Sequence, residues 1–189
     1  MSNFADTMRD ICTKIVVSID SAMHTAVVLA SQQLVMRSPV GDPDHWRANA
    51  APAAARETYN ITVDAYNAEI GKGKGRVRRK SAKTLRRENP NKAGLGYVGG
   101  RFRANWQIGI GAANESVTDD IDRAGGATIA RLTAVAKAAK AGGVIYITNS
   151  LPYADRLERG HSKQAPQGMV RLTMLDLPDA LRASLGAKK

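Results

Sequence analysis

Asp155, Glu158, His161 and Ser162 lie close together in the stretch PYADRLERGHSKQAPQGM, from Pro152 to Met169. Acid, base and hydroxyl are the parts of a nucleophilic triad, in which an acid orients the base that activates the hydroxyl. The rest of that machinery is missing from the sequence. No glycine-framed nucleophile elbow occurs, and HSKQAPQG carries no oxyanion-binding pattern. Asp155 and Glu158, three apart on a helical turn beside Arg156 and Arg159, read as a face of local ion pairs. His24 falls in a helix and His45 beside a proline turn, neither with a partner at metal-ligand spacing. The sole cysteine, Cys12, leaves no intrachain disulfide and no multi-thiolate metal site. GKGKG lacks the Gly-Lys-Ser/Thr ending and the strand-to-helix setting of a phosphate loop. The expectation is a chain with no catalytic residue, no cofactor and no metal, whose polar loop is a surface shaped for a partner.

The elements that must position this loop follow from periodicity. Phe4, Met8, Ile11, Ile15, Ile19, Met23, Ala26, Ala30 and Leu34 recur at spacings of three and four. They predict one amphipathic helix from Asn3 to Met36, stopped by Ser38-Pro39. Its length, roughly 50 Å at ~1.5 Å per residue, suggests packing along a sheet and reach across a subunit boundary. Tyr59, Val63, Tyr66 and Ile70 mark a second helix over about 52–70, with Pro52 in its first turn and Gly71 at its end. Phe102, Ala104, Trp106, Ile108 and Ile110 alternate as in a half-buried strand from about Arg103 to Gly111. A helix is expected from Asp119 to Lys140, late or bent at Gly125-Gly126, then a strand over Val144–Thr148 and a short turn closed by Gly160. Met169–Leu175 fits strand or helix, and Pro178 opens a last helix. The fold class is α+β: a long N-terminal amphipathic helix packed on a small sheet, with shorter helices and a helical-basic insertion. The body comprises 1–46 and 94–189; the insertion is 47–93, its basic arm 71–93. MSNFADTMRD has neither basic nor apolar signal-peptide regions, and no apolar run approaches the ~20 residues of a membrane span, so no membrane partner is expected.

Charge is concentrated in that arm. Lys72, Lys74, Arg76, Arg78, Arg79, Lys80, Lys83, Arg86, Arg87 and Lys92 face a single acid, Glu88: +9 of the chain's +11, which leaves +2 for everything else. With glycines and almost no apolar content, the arm is expected to be mobile when unbound. Three roles remain open for it: a solvated excursion, a clamp on an acidic protein, or contact with DNA phosphates. No aromatic residue is interleaved, so base stacking is not indicated.

Several pieces occur in order: Ser38-Pro39-Val40, Arg101 to Trp106, Asn149, Pro152-Tyr153-Ala154, Glu158, Gly160, and Pro166 to Val170. Together they resemble the neck and tail-completion (head–tail connector) proteins of long-tailed double-stranded DNA bacteriophages, over all but residues 47–93. The resemblance implies a non-enzymatic virion protein of the head–tail junction, made in the host bacterial cytoplasm. It would form a homo-oligomeric ring, with portal, adaptor or stopper and tail proteins as partners. On that reading Arg101, Trp106, Pro152, Tyr153, Glu158, Gly160, Pro166, Gly168 and Met169 are interface candidates. Ringed copies of the arm would add their positive potential around a DNA channel. The rival reading is a small basic nucleic-acid-binding protein acting through residues 71–92. Against it, the charge is local, and no helix-turn-helix, zinc or strand-stacking signature appears.

Overall fold

The computed structural model describes residues 4–140 and 142–186. Its contacts divide the chain into two compact units: Met1–Val40 with Gly99–Lys189, and Gly41–Val98.

In the larger unit, α1 (Phe4–Arg37) is one continuous helix; Asn3, its expected first residue, lies outside the described residues. Its apolar stripe divides into two parts. Val27, Ala30, Leu34 and Val35 are buried, whereas Phe4, Met8, Ile11, Ile15 and Ile19 are exposed. The buried end lies chiefly against α5 (Gly126–Ala136) and α7 (Val170–Gly186), where packing along a sheet was expected. The sheet is too small for that role. It has two antiparallel strands, β1 (Gln107–Ile110) and β2 (Ile145–Thr148), with Ile108 opposite Ile147. Four residues span only about 13 Å, a fraction of the length of α1. Among the described residues α1 is also the one helix long and apolar enough, by length and composition, to cross a membrane, which the sequence reading did not anticipate.

Two further elements differ from expectation, and a third settles a choice the sequence left open. The predicted strand from Arg103 is interrupted: Arg101–Ala104 form a helical turn, α4, before β1 begins. That turn brings Phe102 and Trp106, four apart, edge to face at 6.0 Å inside the core. α5 starts at Gly126, the late start that Gly125-Gly126 allowed, and Asp122 caps it from outside. The Asp122 carboxylate accepts the N–H of Gly125 at 2.7 Å and both the N–H and hydroxyl of Thr128 at 2.8 and 2.9 Å. Burial pushes the Asp122 pKa up, but these bonds and the nearby Arg103 outweigh it and hold the group below the usual carboxylate range. Lastly, Pro178 sits inside α7 instead of opening it.

The core of this unit gathers Val27, Leu34, Val35, Phe102, Trp106, Ile108, Leu132, Ala136, Leu151, Ala165 and Met169. The smaller unit contains α2 (Ala50–Glu69) and α3 (Ala82–Glu88). It extends beyond the expected 47–93 because the rings of Trp46 and Tyr97 pack together at 5.2 Å, drawing both flanks in. Its arm is also more structured than expected. Ser81 caps α3 by accepting the N–H of Thr84, and Leu85 is buried.

Leu132 is fully buried at the centre of the larger core. Leu132→Ala should cost about 3 kcal/mol in urea unfolding. Ile19→Ala, on the uncovered stretch of α1, should change stability by less than about 0.5 kcal/mol in dilute protein.

Candidate interaction site

α1 ends at Arg37, and a helix C-terminus leaves carbonyls without intrahelical partners. Here residues distant in sequence converge on them. Ser38 donates its hydroxyl to the Leu34 carbonyl at 2.7 Å and accepts the indole N–H of Trp106, also at 2.7 Å. The Arg103 guanidinium donates to the carbonyls of Ser38 (2.8 Å) and Met36 (3.2 Å). Burial lowers the Arg103 pKa, with Asp122 opposing. Two residues on, the Gln164 amide both accepts the N–H of Val40 and donates to its carbonyl, at 3.1 and 2.9 Å.

The polar loop is built around a second helix end. β2 leads through Leu151 into α6 (Ala154–Glu158). The Glu158 carboxylate then accepts the backbone N–H groups of Met169, Val170 and Arg171 at 2.8–2.9 Å. A negative group on the first turn of a helix satisfies orphan donors and suits the helix dipole. This is why α7 begins at Val170, well before Pro178. Two glycines are forced by the closeness of this arrangement. Gly168, at φ +80°, has Glu158 where a Cβ would stand, 2.4 Å away; Gly160, at φ +82°, has the Pro166 carbonyl at 2.3 Å.

The four reactive-looking groups are therefore not brought together as a triad. Asp155 pairs with Arg159 at 2.9 Å on the surface, Glu158 is engaged by α7, and the Ser162 hydroxyl accepts the N–H of Gln164. Among the described residues no cluster of three or more His, Cys, Asp or Glu has metal-binding geometry.

The interface candidates separate by exposure. Trp106, Met169 and Gly168 are buried and belong to the interior, so as docking side chains they are corrected. Glu158 and Gly160 are half-buried and serve the α6–α7 junction. Arg101, Pro152, Tyr153 and Pro166 remain on the surface. Arg101 pairs with Asp119 at 2.7 Å, and the Tyr153 ring lies 5.9 Å from that of Phe102.

In the smaller unit the basic segment sorts into held and free cations. Arg79 makes a two-point pair with Asp64, Lys80 reaches Glu88 at 2.6 Å and lies over the Tyr59 ring, and Arg86 meets Asp44 at 2.7 Å. These partners raise the pKa values of Arg79 and Lys80. Lys72, Lys74, Arg76, Arg78, Lys83, Arg87 and Lys92 are exposed, and their side chains form no ion pair or hydrogen bond with any described residue.

The segment's backbone is held by amides that sequence reasoning missed. Asn67 accepts the N–H of Val77 and donates to its carbonyl; Asn60 does the same for Lys80. Asn49, fully buried, accepts the N–H groups of Lys92 and Ala93 and donates to the carbonyls of Pro43 and Ala93. Asn60, Asp64 and Asn67 recur at spacings of four and three, a polar stripe on one face of α2, and that was the available signal.

No protein-family model, curated protein or solved structure matches this chain.

Glu158→Ala should cost about 2 kcal/mol, since three backbone donors lose a charged acceptor. Asp155→Ala, which removes only a surface pair, should cost less than about 0.5 kcal/mol. Urea midpoints compare the two.

The smaller unit carries a pH dependence through Asp44. The Asn91 amide that donates to it lowers its pKa most, and burial, which raises it, is outweighed by that bond with Arg56, Arg86 and His45. A depressed folded pKa stabilises above the ordinary carboxylate value of about 4, and that stability is lost as pH falls toward the folded value. Unfolding followed through Trp46 in a Trp106→Phe background should show a midpoint that declines below that pH. Asp44→Asn should flatten part of the decline.

Proposed function

We propose that this chain is a non-enzymatic structural protein of the head–tail junction of a long-tailed double-stranded DNA bacteriophage. Copies assemble as a ring that joins or completes the tail on the filled head. The observation that carries this reading is the uncovered half of α1. Phe4, Met8, Ile11, Ile15 and Ile19 stand exposed along one face of the helix. A contiguous apolar face of this kind marks a surface that another protein covers. The resemblance supplies the setting. The motif blocks that carry it meet in the larger unit, Ser38 with Trp106, Asn149 with the Phe102 carbonyl, and Glu158 with Met169 and Val170. They form a rigid frame from which α1 projects its free end. Arg101, Pro152, Tyr153 and Pro166 offer a second, polar and aromatic surface for a neighbouring protein.

Assembly on a docking partner predicts that the free chain is monomeric or weakly associated. Light scattering of dilute protein checks this, and a stable closed ring in solution would contradict it. Ile11→Arg with Ile15→Arg should leave the melting temperature unchanged, because both side chains are exposed, and should abolish incorporation into particles. Mass spectrometry of purified virions whose genome encodes the chain should find it. Particles that lack it, yet have joined tails, would overturn the proposal.

A further inference from the structure

We propose that the Gly41–Val98 unit is a preorganised phosphate-binding face that takes the backbone of duplex DNA without regard to base sequence. This goes beyond the assembly reading and does not rest on it.

The argument starts from how the basic segment is ordered. A cationic stretch can be held in place by acids, which consumes its charge, or by neutral groups, which leaves the charge free. Here the backbone is fastened by Asn67 at Val77, by Asn60 at Lys80 and by Asn49 at Lys92 and Ala93. Acids are used only for Arg79, Lys80 and Arg86. The other seven cations keep their charge uncompensated.

The fastening also sets the shape. Asn60 and Asn67 are seven residues apart on α2, about 10 Å along the helix axis. The residues they hold, Val77 and Lys80, are only three apart, so that chain is close to fully extended at about 3.3–3.6 Å per residue. Alternate residues of an extended chain share a side, which groups Arg76 with Arg78. On α3, Lys83 and Arg87 are four apart and share a helix face, while Leu85 is buried and Arg86 is turned to Asp44. Four of the seven free cations are thus presented in two pairs beside or on ordered backbone, and less conformational freedom is lost when an anion arrives.

The chemistry favours phosphates over an acidic protein. A protein–protein interface has an apolar or aromatic centre from which charge is depleted. Between residues 71 and 92 there is no aromatic side chain, and the single large apolar side chain exposed is Val77. Phosphate contact needs only cations and donors and carries no base information.

The test uses the full chain and fluorescence anisotropy of short labelled duplexes of two unrelated sequences, over a series of salt concentrations. Each engaged cation contributes about −0.9 to the slope of log K against log salt, so seven give a slope near −6. Equal affinity for the two duplexes is expected. Arg76→Gln, Arg78→Gln, Lys83→Gln and Arg87→Gln together should make the slope shallower by about 3–4 and weaken low-salt binding by more than about tenfold. These side chains are exposed and form no hydrogen bond or ion pair with any described residue, so the variant should melt as the native chain does. Asn60→Ala with Asn67→Ala keeps every charge; it should retain the slope and lose about tenfold in affinity. Undiminished binding by the glutamine variant would overturn the site, and undiminished binding by the alanine variant would overturn its preorganisation. Strong preference for one duplex would overturn backbone-only contact. Displacement by poly-L-glutamate as effective, charge for charge, as by DNA would reassign the face to an acidic protein.

Discussion

The C-terminal end of α1 is the constraint on which the larger unit depends. Helix carbonyls in a buried end must find donors; here Ser38 serves Leu34 locally, and side chains from far along the chain bind Met36 and the residues that follow the helix. Ser38 closes back on Leu34 and receives Trp106; Arg103 binds the carbonyls of Met36 and Ser38; Gln164 brackets Val40. These bonds fix two elements against the same spot: the α4–β1 segment through Trp106 and Arg103, the loop after α6 through Gln164. Because Trp106 and Leu34 also belong to the apolar core, hydrogen bonding and burial specify the same arrangement. Glu158 repeats the solution at the opposite kind of terminus, joining α6 to the start of α7, and α7 returns to pack on α1.

This explains why the polar loop resembles an active site in sequence and not in geometry. Carboxylates, hydroxyls and amides are the groups that satisfy exposed helix ends, and they are also the groups that catalyse. Glu158 accepts three backbone donors, two on one carboxylate oxygen and one on the other. Gly160 and Gly168 are there because carbonyl and carboxylate oxygens of Pro166 and Glu158 occupy the space of a side chain. The requirement for glycine is met by close packing of the loop upon itself, with no ligand needed to account for it.

Much of the α+β fold was legible because helical periodicity is local. The spacing of Phe4 through Leu34 located the end of α1 to within a residue, Tyr59 through Ile70 located α2, and Val144–Thr148 located β2. What periodicity cannot show is what covers a face. The same stripe that buries Leu34 leaves Ile15 in solvent. Alternation over Phe102–Ile110 was equally compatible with a helical turn followed by a strand, since Phe102 and Trp106 meet at a four-residue spacing. The start of α7 depended on Glu158, eleven residues before Met169. Among site residues, the exposed Arg101, Pro152, Tyr153 and Pro166 were separable from the buried Trp106, Met169 and Gly168 only by packing. The asparagine clamps were illegible for the same reason: the segment backbone they hold lies 10 to 44 residues away.

The smaller unit illustrates why composition alone misjudged the basic segment. Low apolar content implies that burial cannot offset ordering. The offset comes instead from paired amide–backbone hydrogen bonds, which bury no charge and need little apolar surface. Val63 and Leu85 contribute a small core, and Asn49 satisfies four backbone groups while itself wholly buried. A buried amide with all its partners made stabilises without neutralising anything nearby. Apart from Arg79, Lys80 and Arg86, which pair with acids, the cations of the segment keep their charge while its backbone is ordered by other residues. A chain that needed only solubility from its lysines and arginines would have no reason to hold their backbone still.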